Sequence, residues 1–93
     1  MPLTIQQAET LMKEMNGWVL SPDAKKISKQ FTFKNFAEAL AFTNKVGAIA
    51  EEEGHHPDLA LRWGKVGVEL RTHAIGGLSE NDFILAAKID EIA

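Results

Sequence analysis

The stretch Glu51–Asp82, EEEGHHPDLALRWGKVGVELRTHAIGGLSEND, decides the fold. Its leading glutamates close a helical pattern, Gly54 offers a left-handed residue that stops a helix, and beyond Pro57 the apolar period changes from helical to alternating. Leu59, Leu61 and Trp63 alternate with Asp58, Ala60 and Arg62, which predicts a strand whose apolar face carries Trp63 toward the core. Gly64-Lys65 reads as a tight turn. Val66, Val68, Leu70 and Thr72 then share one face of a further strand, with Lys65, Glu69, Arg71 and His73 on the other. Gly76-Gly77 breaks that strand. Ser79, with Asp82 three residues on, opens a helix as a capping box, and Phe83, Ile84, Ala87 and Ile89 carry it.

Upstream the same logic gives the other half. Thr4 with Gln7 is a capping box, Leu3 can staple against Ala8, and Asn16-Gly17 is a stop, so a helix runs from about Ile5 to Met15. Trp18-Val19-Leu20 reads as a short strand, Ser21-Pro22-Asp23 as a turn, and Lys26 to Phe33 as a second strand with Ile27, Phe31 and Phe33 at even spacing. Asn35 with Glu38 starts a helix in which Phe36, Leu40, Phe42, Val46, Ile49 and Ala50 recur at helical spacing through Glu53. The order is α-β-β-α-β-β-α. The simplest arrangement that buries every apolar stripe is an α+β fold, a four-stranded antiparallel sheet with helices packed on one face, in a single domain spanning residues 1–93. The long, proline-free run Val66 to Thr72 is expected to offer an edge for pairing into a dimer.

Composition removes several function classes. The 93 residues include no cysteine, so disulfides, thiolate nucleophiles and cysteine zinc sites are out. A net charge of −3 speaks against a phosphate-backbone binder, so no nucleic-acid partner is expected, and Lys25, Lys26, Lys29 and Lys34 read as a solvated turn and strand face. No run is long and apolar enough for a membrane span, and the first residues carry Glu9, Lys13 and Glu14 where a leader would be basic and then apolar, so a cytoplasmic protein is expected.

What remains is the histidines. All three, His55, His56 and His73, fall inside the quoted stretch, and histidine is the side chain whose ordinary titration lies nearest neutrality, as general acid–base work requires. A metal hydrolase built on them is disfavoured, because adjacent histidines on extended backbone point apart and neither H-x-H nor H-x3-H spacing occurs. Each residue also has a plainer reading: His73 as an exposed strand residue, Trp63 as core, Asp82 as the third residue of a capped helix, Glu51 as a solvated helix end. Three carboxylates at a helix carboxyl terminus oppose the macrodipole, which favours a use for at least one of Glu51, Glu52 and Glu53.

Glu51-x3-His55-His56-Pro57-x5-Trp63-x9-His73-x8-Asp82, with Thr72-His73 and Gly77-Leu78-Ser79 beside it, resembles the signature of the pterin-4a-carbinolamine dehydratases. The resemblance implies a small α+β enzyme, dimeric or tetrameric, that dehydrates 4a-hydroxytetrahydropterin to quinonoid dihydropterin without metal or cofactor. It implies His55, His56, His73 and Glu51 as the catalytic group and Pro57, Trp63 and Asp82 as substrate-binding residues, with His55 the principal acid–base residue and the pterin as substrate. It further implies service to recycling of the pterin used by aromatic amino-acid hydroxylases. Two positions depart from the pattern: Gly54 where the family often has an acid or amide, and Asn81 where it often has a basic residue. A non-catalytic dimerisation or protein-binding module of the same fold is the alternative, since some vertebrate relatives are partners of a transcription factor.

Overall fold

Helix α1 (Ile5–Met12) begins at Thr4, whose hydroxyl accepts the Gln7 N–H while the Gln7 side chain accepts the Thr4 N–H, so both halves of the expected capping box form. The computed structural model describes residues 1–93. Beyond Met12 the backbone bonds tighten to the i→i−3 kind, Met15 N–H to Met12 C=O among them. The helix therefore ends at Met12 rather than Met15, its last carbonyls satisfied by a narrower turn.

Strands β1 (Val19–Leu20) and β2 (Ile27–Thr32) form the first hairpin. Helix α2 (Phe36–Glu53) is capped by the Asn35 side chain, which accepts the Glu38 N–H at 2.9 Å. It stops at Gly54, whose φ of 65° is the left-handed conformation that glycine adopts without Cβ strain. Strands β3 (Asp58–Arg62) and β4 (Lys65–Leu70) form the second hairpin, and helix α3 (Glu80–Ile92) ends the chain.

All pairings are antiparallel, in the order β1-β2-β4-β3. The α-β-β-α-β-β-α order and the α+β fold match the expectation, and two strand assignments need correction. β4 is central, hydrogen-bonded to β2 on one side and β3 on the other, so it offers no edge; the free edges are the two-residue β1 and the five-residue β3. β4 also stops at Leu70. Thr72 instead makes an isolated bridge to Gly77, and His73–Ile75 between them wind into a 3-10 turn, so His73 does not stand on a strand face with Lys65 and Glu69.

One face of the sheet holds the core. Ile27 and Phe31 of β2 and Val66, Val68 and Leu70 of β4 pack with Ala39, Phe42, Val46 and Ala50 of α2 and Phe83, Leu85, Ala86 and Ile89 of α3. Phe31 and Phe42 lie with ring centroids 4.7 Å apart in a tilted arrangement. The other face is polar and open, with Ser28, Gln30, Asp58 and Glu69 around a shallow groove.

Lys29 corrects the reading of the lysines as a uniformly solvated patch. By strand parity it faces inward with Ile27 and Phe31. Its ammonium donates to Asp90 Oδ1 and to the Asn16 carbonyl, each at 2.8 Å, and lies 4.9 Å from the Phe31 ring centre. Asp90 Oδ2 accepts the Trp18 indole N–H at 3.0 Å. One carboxylate thus ties the end of α3 to the first hairpin. Asp90→Ala strands both donors and is expected to lower unfolding free energy by about 2 kcal/mol. Lys26→Ala, which opens the water-exposed pair with Glu69, should cost under about 0.5 kcal/mol. Urea denaturation of the two variants measures both.

Candidate active site

The registers bring three chain segments to one end of the sheet. Asp58, the first residue of β3, pairs with Glu69 near the end of β4, so the loop His55–Pro57 entering β3 and the loop Arg71–Leu78 leaving β4 are neighbours. The carboxyl end of α2 and the amino end of α3 meet there as well, and farther along α3 Lys88 reaches back to Glu53 at 2.7 Å. That bond lifts Lys88 above the usual lysine range.

At the centre lies Asp82, fully buried. Its carboxylate accepts the Ser79 backbone N–H at 2.9 Å, the bond expected of the third helical residue in a capping box, and the Thr72 hydroxyl at 2.9 Å. Its other oxygen pairs with His55 Nε2. Since the single Thr72 hydroxyl hydrogen goes to Asp82, the 2.7 Å contact between Thr72 Oγ1 and Ser79 Oγ has Ser79 as donor. A buried carboxylate is costly unless its lone pairs are filled, and here three donors fill them. Asp82 therefore caps a helix and also grips a histidine.

His55 itself is placed by the helix stop, its backbone N–H donating to the Ala50 carbonyl at 3.1 Å after Gly54 turns the chain. With Nε2 on Asp82, Nδ1 is the ring nitrogen left without a hydrogen-bond partner in the chain. His56 points elsewhere and pairs through Nε2 with Glu51, both side chains exposed. Glu51 and Glu53 thus each find a cation or imidazole, which accounts for two of the three carboxylates at the end of α2.

His73 is exposed, adjacent to Thr72 at the same end of the sheet, and its ring makes no hydrogen bond within the chain. Pro57 is half-buried at the start of β3. Trp63 is not with them. It is 69% exposed, in the turn between β3 and β4, on the order of 20 Å along the strand from Pro57. Its expected alternation into the core fails because β3 ends at Arg62 and the turn takes residue 63 out of the pleat. None of the four concavities of the surface is lined by a histidine; one of about 450 Å³ surrounds Trp63, Phe33, Thr32, Arg62 and Lys65. No group of His, Asp and Glu is gathered closely enough to hold a metal ion, and no helix is long and apolar enough to cross a membrane.

Thr72 is the residue whose part the sequence reading missed. It shares parity with Val66, Val68 and Leu70, and a hydroxyl at the end of an apolar row is a signal for a buried hydrogen bond.

The sequence model of the family described as Pterin 4 alpha carbinolamine dehydratase matches residues 1–92. A protein of Methylococcus capsulatus, provisionally named a pterin-4-alpha-carbinolamine dehydratase, is 52% identical over 92 residues, 99% of this chain and 81% of its own length. A namesake from Cupriavidus pinatubonensis is 49% identical over 99% of the chain and 79% of its own. Among solved structures, the one described as a transcriptional coactivator/pterin dehydratase from Brucella melitensis superposes with a TM-score of 0.94 at 30% identity, covering 100% of this chain and 99% of that one. A pterin dehydratase-like protein described as a RuBisCO assembly factor in the alpha-carboxysome superposes with a TM-score of 0.72 at 25% identity, covering 84% and 90%.

The buried carboxylate makes a direct prediction. Asp82→Ala leaves the Ser79 N–H, the Thr72 hydroxyl and His55 without their acceptor and should cost about 3 kcal/mol in unfolding free energy. Thr72→Val, which keeps shape and removes one donor, should cost about 1 kcal/mol, and Thr72→Ser should cost less. Denaturant titrations rank the three, and nitrogen shifts of His55 report whether its Nε2 hydrogen is still held.

Proposed function

Because the chain belongs to the pterin 4-alpha-carbinolamine dehydratase family, we propose that it dehydrates 4a-hydroxytetrahydropterin to quinonoid dihydropterin and water by histidine general acid–base catalysis. The product would re-enter tetrahydropterin recycling. The observation that carries the reading is the His55–Asp82 pair. A fully buried carboxylate that accepts Nε2–H fixes the tautomer and leaves the Nδ1 lone pair free, which is the state a base needs.

The reaction breaks the C4a–O bond and the N5–H bond and forms the C4a–N5 double bond. His55 takes the N5 proton at Nδ1, while the departing hydroxyl takes a proton and leaves as water. His73, exposed and free of internal hydrogen bonds, delivers that proton and regains one from solvent. The imidazolium formed on His55 is stabilised by Asp82, as a hydrogen-bonded carboxylate stabilises any cation held against it. His56 and Glu51 contact the pterin from the exposed side, and Pro57, with no N–H and a fixed φ, holds the backbone between the histidines and β3. No metal or cofactor has a step in this scheme.

A second reading is a non-catalytic binding module. It is supported by the assembly-factor description of one structural neighbour and by Phe36 and Leu40, which stand exposed on α2. The two separate on one assay. Purified protein should accelerate dehydration of synthetic 4a-hydroxytetrahydropterin, His55→Ala should lower the rate about 100-fold or more, and a chelator should leave it unchanged. A rate that survives substitution of every histidine would remove the acid–base assignment. A chain inert toward the pterin that forms a stoichiometric complex with a helical partner would establish the second reading in its place.

A further inference from the structure

We infer that Thr72 is a positioning residue for catalysis: its hydroxyl sets the plane of the Asp82 carboxylate, and through it the tautomer and orientation of the His55 ring. The inference rests on the dehydratase reading for its effect on turnover, though not for its effect on the ring.

A carboxylate on a short side chain turns easily about its last torsion, where the wells are broad and twofold. The lone pairs of each oxygen lie near the plane of the group, so one donor leaves that plane free to swing and two donors on the same oxygen fix it. Asp82 Oδ2 has two. The Ser79 backbone N–H reaches it at 2.9 Å from the entrance of α3, and the Thr72 hydroxyl reaches it at 2.9 Å from the exit of β4. With the plane fixed, Oδ1 has one direction in which to point, and there it meets His55 Nε2. Asp82 is fully buried, so bulk water is not at hand to replace a lost donor.

Thr72 is itself rigid. Its branch at Cβ restricts χ1, and its extended backbone is bridged to Gly77, with the Thr72 N–H on the Gly77 carbonyl at 2.8 Å and the Gly77 N–H returning at 3.4 Å. Gly77 is packed under Pro2 so closely that a Cβ there would come within 2.8 Å of the proline side chain. The hydroxyl proton is directed as well. Ser79 donates to Thr72 Oγ1 at 2.7 Å, so the hydrogen bonds run in one sense, Ser79 to Thr72 to Asp82, and each strengthens the next. The residue that follows on this clamped backbone is His73. One threonine thus orients the first imidazole through its side chain and carries the second on its main chain.

The proposed reaction needs that orientation. His55 accepts the N5 proton at Nδ1 only while its own hydrogen stays on Nε2. Once Oδ1 swings away, nothing holds the hydrogen there, the Nδ1–H tautomer becomes populated, and the imidazolium formed in the reaction loses its carboxylate.

Two measurements on the full chain test this. Thr72→Val keeps the shape and removes the hydroxyl; it should lower kcat about 10-fold with KM within about twofold of wild type, and Thr72→Ser, which restores the donor, should recover most of the loss. A purely structural role would lower stability and leave the kcat of the folded chain unchanged. Nitrogen NMR of the neutral His55 ring should show the hydrogen on Nε2 in wild type and in Thr72→Ser, and a mixture of tautomers in Thr72→Val. A valine variant with wild-type kcat, or valine and serine variants that fall alike, would overturn the inference. So would a wild-type ring that carries its hydrogen on Nδ1, a result that needs no variant to fold. If His55→Ala turns over like wild type, the dehydratase reading fails instead, and the ring nitrogens alone still judge what Thr72 does to His55.

Discussion

Everything at the functional end of this molecule turns on one carboxylate with no access to water. Asp82 sits where three chain segments converge, and each contributes a donor: His55 from the exit of α2, Thr72 from the exit of β4, and the Ser79 backbone from the entrance of α3. Withdrawing a carboxylate from solvent costs far more than one hydrogen bond returns, so the group is tolerable only while all three segments stay in place. The constraint runs in both directions. The segments hold the carboxylate, and its need for donors holds a loop of irregular backbone from Arg71 to Leu78 against the helix layer, where few regular hydrogen bonds would do so.

The opposite end of α3 is secured by different means. There Asp90, partly exposed, takes Lys29 and the Trp18 indole. A thirteen-residue helix is thus anchored at its amino end by an acidic residue that also complements its dipole, and near its carboxyl end by a bridge to the first hairpin. Between the anchors Phe83, Leu85, Ala86 and Ile89 supply the apolar contact. Fixing both ends makes the orientation of Asp82 a property of the whole core.

The element order and the one-sided layering were legible because the cues are local: alternation in Leu59–Leu61 and Val66–Leu70, a helical period before Gly54, capping residues at Thr4, Asn35 and Ser79. Strand order was not, since whether β4 lies at an edge or between neighbours depends on pairings between residues far apart in the chain. Trp63 shows how parity misleads. Alternation holds only while the strand lasts, and a turn one residue earlier sends the largest side chain of the segment outward. His73 is the same error at the other end of the hairpin, where β4 gives way at Leu70 and a 3-10 turn replaces the expected pleat. The pairing of His55 with Asp82, 27 positions away, had no local signature at all; only the resemblance to a family placed both residues in one site.

The layout also separates stability from chemistry in a particular way. The face of the sheet that packs on the helices carries the core, and the histidines are mounted on its rim, where β3 begins and where the sheet has an unpaired edge. The carboxylate behind His55 is anchored in the core, while the second ring nitrogen is left without a partner in the chain.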